Sequence, residues 1–126
     1  MSDPVVHFEI IGRDPEALRS FYRRVFGWEA DTDSPVAAAV SDAGEYGFIA
    51  APEGGGGIPG GIGGGPSHPP QVLFYVGVDD VAAALGRVRD AGGAAVLEPV
   101  SRPDGQIVVA RFTDPEGNLV GLAGPR

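Results

Sequence analysis

The sequence predicts an α+β fold made of two βαβββ modules whose mixed sheet curls around a cavity. An apolar strand occurs twice, at Val5–Ile11 and at Val72–Val78, and each copy is followed by a capped amphipathic helix. Laying the second copy on the first places the helix cap Asp80 on Asp14, which indicates an internal duplication. Each module has one sheet face to bury beneath its helix, so the opposite faces are available to form a shared cavity.

The first module combines one strand, one helix and several short strands. After the opening strand, Asp14 can cap a helix whose first position is Pro15. Apolar residues at positions 18, 21, 22 and 25 predict one apolar helix face, and Gly27 can end the helix in the left-handed conformation. The residues that follow predict three short strands, at 28–30, 36–40 and 46–50.

A segment rich in glycine and proline separates the two modules. Within a single domain, we place the first module at about 4–52, this segment at about 53–70 and the second module at about 71–124. Glycine at such density costs backbone entropy and supplies no side chains for packing. We therefore predict either a flexible linker or a lid over a ligand, with one short edge strand near 58–62.

The second module repeats the pattern of the first. Its strand is followed by the cap Asp80 and a helix with apolar residues at 81, 84, 85 and 88, which ends at Gly92-Gly93. Strands are expected at 94–100, 106–113 and 119–123. A tight turn at Asp114–Asn118 joins the last two strands.

Composition excludes several classes of function. The chain of 126 residues has no cysteine, which rules out disulfides, thiolate catalysis and cysteine-bound zinc. A net charge of −8 argues against binding to nucleic acid or anionic membrane surfaces. The sequence has no apolar run long enough to span a membrane and no signal-peptide pattern at its N-terminus. We expect a cytoplasmic protein whose partner is a small molecule.

The opening strand carries the first candidate site residues, His7 and Glu9. Strand residues two apart point to the same face, so these two side chains lie together, opposite Val6, Phe8 and Ile10. An imidazole beside a carboxylate can bind a metal, transfer a proton or satisfy a buried hydrogen bond, and the sequence leaves all three open. Glu9 is either an acid or base tuned by a dry cavity or a solvated carboxylate.

The repeat extends this candidate site to the second module. Tyr75 is the counterpart of Glu9, and we predict that its phenol donates a hydrogen bond to the substrate. Gln71 and Leu73 share the face of Tyr75, and Phe48 comes from the first module. We therefore assign His7, Glu9 and Tyr75 to catalysis, with four residues assigned to substrate binding: Phe48, Gln71, Leu73 and Gly121.

This arrangement resembles the vicinal oxygen chelate superfamily, which includes glyoxalase I, extradiol dioxygenases, and the fosfomycin and bleomycin resistance proteins. The resemblance covers nearly the whole chain except the glycine-rich segment, and it is to bacterial single-domain members labelled glyoxalase-like or bleomycin resistance-like. Membership implies a homodimer. The residues that carry the resemblance are His7, Asp14-Pro15, Phe21-Tyr22, Val25–Trp28, Val78–Val81, Ala91–Gly93 and Phe112–Asn118.

The resemblance implies a divalent metal site that this sequence retains only in part. Metal-binding members use a His or Glu on the first strand of each module and a Glu on the last strand. His7 keeps the first position, but Leu73 and Gly121 occupy the other two. A fourth ligand of the family comes from the end of the first module, and residues 54–67 there contain no His, Asp or Glu. Divalent ions need about four to six ligands, so we predict no metal cofactor, unless Glu9 or His68 substitutes for a lost ligand.

Three functions therefore remain as hypotheses. The leading one is a protein that binds a small apolar or aromatic organic molecule; whether it is an enzyme is left open. If it is one, metal-independent proton transfer by His7 and Glu9, in an isomerisation, elimination or cyclisation, is expected. The second is a drug-sequestering resistance protein without catalysis. The third is a divalent-metal-dependent lyase, isomerase or dioxygenase.

Overall fold

A computed structural model describes residues 2–126 as eight strands and two helices. The predicted α+β class is confirmed, and the order of elements is βαβββ, repeated once. The chain divides into two compact units: the first unit is His7–Val72, and the second unit is residues 2–6 together with Leu73–Arg126. The elements are β1 (Val5–Gly12), α1 (Pro15–Phe26), β2 (Ala30–Asp31), β3 (Gly47–Ile49), β4 (Gly60–Gly64), β5 (Gln71–Gly77), α2 (Val81–Asp90), β6 (Ala94–Ser101), β7 (Ile107–Thr113) and β8 (Leu119–Pro125).

The first unit arranges its strands in the order β2-β3-β4-β1, with β4 parallel to β1 and antiparallel to β3. Asp14 caps α1 through Ala17 N at 3.1 Å, and Gly27 ends it at φ 75°, as the sequence predicts. Ile10, Ile49 and Ile62 form the buried core. Apolar and aromatic side chains pack against that core: Phe8, Leu18, Tyr22, Trp28 and Ala30.

Strand β4 lies inside the glycine-rich segment that the sequence predicts to be a linker or lid. All five of its residues are buried, and it pairs on both sides, so the prediction of an edge strand near 58–62 is wrong. The glycines are required by aromatic rings: a Cβ at Gly60 would lie 2.1 Å from the ring of Phe8, and one at Gly61 would lie 2.1 Å from the Tyr46 hydroxyl. The division of the chain into modules with a linker stays a prediction.

One local prediction for the first unit is wrong. Residues 36–40 form no strand; Val40 N and Ser41 N both donate to Ala37 O, so the chain turns there instead. This alanine-rich stretch satisfies its backbone locally and needs no partner strand. In α1 only part of the expected apolar face is covered, because Phe21 and Val25 are more than half exposed.

The second unit arranges its strands in the order β5-β8-β7-β6. Strand β8 is parallel to β5 and antiparallel to β7. Asp80 caps α2 through Ala83 N at 3.0 Å, and Asp114 closes the turn between β7 and β8 through Glu116 N and Asn118 N. The helix packs its apolar side into the core, whose buried members are Val78, Val81, Ala84, Leu85, Ala110 and Leu122.

Neither helix within residues 2–126 has the length and apolar character needed to cross a bilayer.

Candidate functional site

The candidate site in the first unit is a chain of three side chains joined by hydrogen bonds. The Tyr46 hydroxyl donates to Glu9 Oε1 at 2.9 Å, and the same hydroxyl lies 2.9 Å from His7 Nε2. Glu9 is 2% exposed and Tyr46 is 3% exposed, while His7 is half-buried. The structure therefore brings the two predicted residues of β1 together through a tyrosine.

Strand geometry explains how the three groups meet. His7 and Glu9 lie two residues apart in β1, so both side chains point to the face that contacts Tyr46, as predicted. Phe8 points the other way and packs on Trp28, with ring centroids 5.1 Å apart. Tyr46 directly precedes β3, and its ring lies over Gly61, the register partner of Glu9 in β4.

Burial determines the charge of the imidazole. Loss of hydration lowers the pKa of His7 from 6.5 to about 4, because a protein interior disfavours the charged imidazolium. His7 is therefore neutral at pH 7 and holds one N–H donor and one lone pair. A neutral imidazole of this kind can accept a proton from a bound molecule.

Phe48, predicted to contact substrate, borders this chain of polar groups. Its ring is tilted against His7 with centroids 6.2 Å apart and against Tyr46 with centroids 4.8 Å apart. Phe48 is half-buried, as is His7. The polar groups of the candidate site are thus flanked by aromatic surface, which suits a flat or apolar ligand.

A second buried polar pair lies in the second unit. Arg111 Nε donates to the Tyr75 hydroxyl at 3.2 Å, and the two side chains are 5% and 2% exposed. The ring of Tyr75 covers Gly121, its register partner in β8, where a Cβ would lie 2.3 Å from a ring carbon. Leu73, a predicted substrate contact, is buried at 4% exposure.

Gln71 lines a groove at the end of β1 and the start of α1. The groove has a volume of about 470 Å³, and neither His7, Glu9 nor Tyr46 lines it. Its walls include Ile10, Ile11, Leu18 and Phe21. The structure therefore places Gln71 at a different part of the first unit from the hydrogen-bonded chain of His7, Tyr46 and Glu9.

Sequence reasoning gave no role to two important residues, Tyr46 and Arg111. Neither residue is among those assigned from the sequence to catalysis or to substrate binding. The signal for Arg111 is a single charge inside the apolar strand β7, since a buried arginine requires a hydrogen-bonding partner. Tyr46 carries no such signal, because tyrosines in strands more often belong to the core.

The donor set does not fit the metal ion that the resemblance implies. Among residues 2–126, no three His, Cys, Asp or Glu side chains lie together. Leu73 is buried hydrocarbon, and Gly121 lies beneath a tyrosine ring. His68, the possible substitute, lies 3.2 Å from Asp42 at a loop. His7 and Glu9 leave a divalent ion too few ligands, since such ions take about four to six.

Comparison with known proteins identifies related folds. The sequence profile of the Glyoxalase/Bleomycin resistance protein/Dioxygenase superfamily matches residues 5–122. No curated protein matches the chain. Among solved structures, a variant of the methylmalonyl-CoA epimerase of Streptomyces coelicolor, in complex with 2-nitronate-propionyl-CoA, is similar with a TM-score of 0.68 and 19% identity over 99% of this chain and 96% of that one.

Two further structures share the fold. The methylmalonyl-CoA epimerase of Mycobacterium tuberculosis has a TM-score of 0.65 and 17% identity over 97% of this chain and 87% of that one. A superfamily member from Vibrio splendidus 12B01 has a TM-score of 0.61 and 19% identity over 99% of this chain and 100% of that one. At these identities, the similarity shows the fold alone, and chemistry has to be argued from the side chains.

Proposed function

Because the chain belongs to the glyoxalase/bleomycin resistance protein/dioxygenase superfamily, whose fold supports several chemistries, we propose a function from the side chains of its own site. The protein binds a small, mostly apolar or aromatic organic molecule against the face that carries His7. It moves a proton on that molecule without a metal ion, in an isomerisation, elimination or cyclisation.

The observation that carries this proposal is the continuous link from His7 through Tyr46 to Glu9. Two hydrogen bonds of 2.9 Å join a neutral imidazole to a buried carboxylate. An imidazole that is neutral at pH 7 has a lone pair with which it can act as a general base, and its pKa of about 4 makes it a weaker base than a histidine in water. The reaction therefore begins at His7, with Glu9 as its partner.

The class of ligand follows from the surroundings of His7. The rings of Tyr46 and Phe48 flank the imidazole, which favours a flat or apolar molecule. The chain has 9 basic and 17 acidic residues, so its overall field disfavours a strongly anionic substrate. The isomerase names of the methylmalonyl-CoA epimerases are compatible with a proton transfer but do not identify this substrate.

Tyr75 is the proposed donor to an oxyanion that develops during the reaction. This assignment comes from the position of Tyr75 in the second module, and in the structure its hydroxyl accepts from the Arg111 guanidinium. The substrate contacts assigned from the sequence stay proposals: Phe48, Gln71, Leu73 and Gly121. A cytoplasmic homodimer with strands curled around the ligand also belongs to this proposal, and sedimentation equilibrium tests its dimeric state.

Deuterium exchange tests the proposed reaction without knowledge of the natural substrate. The protein, pretreated with a chelator, is incubated in D₂O at pH 7 with a panel of small aromatic ketones and aldehydes that carry an acidic C–H bond. Proton NMR measures the replacement of C–H by C–D. We expect exchange above the buffer rate for part of the panel, and a loss of 10²-fold or more in His7→Gln.

Tyr22→Phe is the matched control. Tyr22 packs on Trp28 within the core of the first unit, away from His7, so this variant should keep the wild-type exchange rate. Exchange in His7→Gln at the wild-type rate would contradict the proposal. Recovery of activity only after a divalent metal is added would contradict its metal independence. Ligand-induced NMR shifts without any exchange would favour the sequestering alternative instead.

A further inference from the structure

We propose that the protein pairs with a second copy of itself through one exposed side of α1, with the two helices antiparallel. This side, called the outer stripe below, consists of Asp14, Ala17, Phe21, Arg24 and Val25. The inference rests on the homodimer of the proposed function and names the surface that forms it. It does not depend on the chemistry proposed for the candidate site.

Helical spacing places the outer stripe on one side of α1. Each member lies three or four residues from another member, which is the spacing of side chains that share a helix face. All of them are exposed, and the apolar members Phe21 and Val25 are 56% and 53% exposed. Leu18 and Tyr22 lie on the adjacent face and pack against the core of the first unit. The helix thus buries one apolar face and presents further apolar surface on the other.

The outer stripe has a shape that fits a second copy of itself. The groove of about 470 Å³ described above has Asp14, Ala17 and Phe21 among its lining residues. A second hollow, of about 370 Å³, is lined by Phe21, Arg24 and Val25. An exposed ring next to a hollow is self-complementary, because across a twofold axis the ring of each copy can enter the groove of the other.

The charges along α1 determine the direction of the pairing. The helix starts with two acidic residues, Asp14 and Glu16, and its last turn contains two basic residues, Arg23 and Arg24. An antiparallel second copy brings the acidic start of each helix against the basic end of the other. A parallel copy would bring like charges together, which costs free energy.

The antiparallel alignment also matches a large side chain with a small one. When Arg24 faces the second copy's Asp14, Phe21 faces the second copy's Ala17, because Phe21 precedes Arg24 by three residues and Ala17 follows Asp14 by three. The phenylalanine ring therefore meets a methyl group in the groove that Ala17 lines. Each contact occurs twice about the twofold axis.

The overall charge of the chain favours this surface over others. Two copies that each carry a net charge of −8 repel one another, so they approach best where positive charge is concentrated. Four of the 9 basic residues lie in or next to α1: Arg13, Arg19, Arg23 and Arg24. Within residues 2–126, Arg24 forms no ion pair, and the second copy's Asp14 would supply one.

Sedimentation equilibrium of the purified chain tests the surface. We expect the mass of a dimer for the wild-type protein and of a monomer for Phe21→Asp, because this change places a charge where an apolar ring would be buried. Val96→Asp is the matched control, since Val96 is 58% exposed and lies on β6 in the second unit. It should remain a dimer. A monomeric wild-type protein, a dimeric Phe21→Asp or a monomeric Val96→Asp would overturn the proposal.

The second arm tests the antiparallel alignment with milder changes, and it decides the proposal if circular dichroism shows Phe21→Asp to be unfolded. Asparagine at position 14 still caps the helix but removes the charge. We expect Asp14→Asn and Arg24→Gln each to raise the dimer dissociation constant by about threefold to tenfold, because the exposed ion pair forms twice.

The double variant shows whether Asp14 and Arg24 contact each other. Within one helix they lie ten residues, or about 15 Å, apart, which is too far for an ion pair. Coupling between them therefore arises between copies, and the double variant should lose no more affinity than either single variant. Losses that add in the double variant, or an unchanged constant in both single variants, would overturn the alignment.

The outcomes separate this surface from the function on which it rests. If the wild-type protein is a dimer and Phe21→Asp is also a dimer, only the surface on α1 fails and the homodimer stands. If the wild-type protein is a monomer, the homodimer of the proposed function fails together with its surface. Deuterium exchange then still decides the proposed chemistry.

Discussion

Each unit of the protein contains a tyrosine ring that lies over a strand glycine, and the two pairs differ in what the hydroxyl contacts. In the first unit, Gly61 pairs with Glu9 between parallel strands and lies under Tyr46. In the second unit, Gly121 pairs with Tyr75 between parallel strands and lies under the same Tyr75 ring. The pairing of a glycine between parallel strands is therefore repeated, but the ring above it comes from different positions. Tyr46 precedes β3, whereas Tyr75 lies in β5.

The polar partners of the two hydroxyls have opposite charge. Tyr46 donates its proton to the Glu9 carboxylate, whereas Tyr75 accepts from the Arg111 guanidinium. The first hydroxyl therefore lies between two groups that can both bind protons, and the second is adjacent to a cation that holds its protons throughout the physiological range. The comparison shows that the duplicated backbone fixes where a ring is placed, and that the neighbouring side chains decide its chemistry.

The largest effect expected is a pH dependence that belongs to the first unit. The pKa of His7 is about 4 in the folded protein and about 6.5 when unfolded, so below pH 6.5 the unfolded state binds more protons. Folding stability should fall between pH 6.5 and pH 4, by about 3 kcal/mol in total. Urea unfolding at several pH values measures it.

A comparison of variants isolates the contribution of His7 from that of the carboxylates. His7→Gln should reduce the slope of stability between pH 6.5 and pH 4, because it removes the group whose pKa is lowered by burial. Equal slopes for the wild-type protein and His7→Gln would contradict the prediction.

The next effect tests whether the two glycines are equivalent. Alanine at Gly61 would place a Cβ 2.2 Å from ring carbons of Tyr46, and alanine at Gly121 would place one 2.3 Å from a ring carbon of Tyr75, so each ring must shift. We expect each substitution to lower the free energy of unfolding by about 2–3 kcal/mol, as overpacking of cores does. Urea denaturation measures both.

Gly86 supplies the matched control for these two substitutions. It lies in α2, and a Cβ there would meet no atom within 4 Å. Gly86→Ala should stabilise the protein by about 0.5–1 kcal/mol, because alanine favours the helix. If Gly61→Ala or Gly121→Ala raises the free energy of unfolding as Gly86→Ala does, the tyrosine ring does not exclude a side chain at that glycine.

A smaller effect compares the two hydroxyls directly. Tyr46→Phe removes the hydrogen bonds to both His7 and Glu9, whereas Tyr75→Phe removes the one donated by Arg111. We expect losses of about 2 kcal/mol and about 1.5 kcal/mol, since hydrogen bonds to charged groups contribute about 1.5–3 kcal/mol. Chemical denaturation of both variants ranks them, and a larger loss for Tyr75→Phe would reverse the comparison.

The smallest effect concerns the helix caps, which are equivalent in the two units. Asp14 and Asp80 each accept a backbone N–H of the first helical turn, at 3.1 Å and 3.0 Å. Alanine at either position should cost about 1 kcal/mol, and asparagine should retain most of that stability. Asp14→Ala should cost slightly less, because Pro15 and Glu16 still favour the start of α1. Thermal unfolding of the four variants tests this order.

The helices and the last turn could be predicted because their determinants are close together in the sequence. Asp14, Pro15 and Gly27 mark the ends of α1, and Asp114 closes its turn within five residues. Strand β4 could not be predicted in this way. Its glycines fit rings from distant positions, Phe8 and Tyr46, and the same glycines suggest a linker when only their local entropy cost is considered.

The sequence by itself determined that the fold is α+β and that His7 and Glu9 share one face of β1, because strand side chains alternate with a period of two residues. Only the tertiary structure decided what lies between those two side chains. Tyr46 reaches them because β3 and β1 both pair with β4, and strand pairing depends on contacts between distant parts of the chain. The polar groups on β1 were therefore predictable, whereas the hydroxyl that connects them was not.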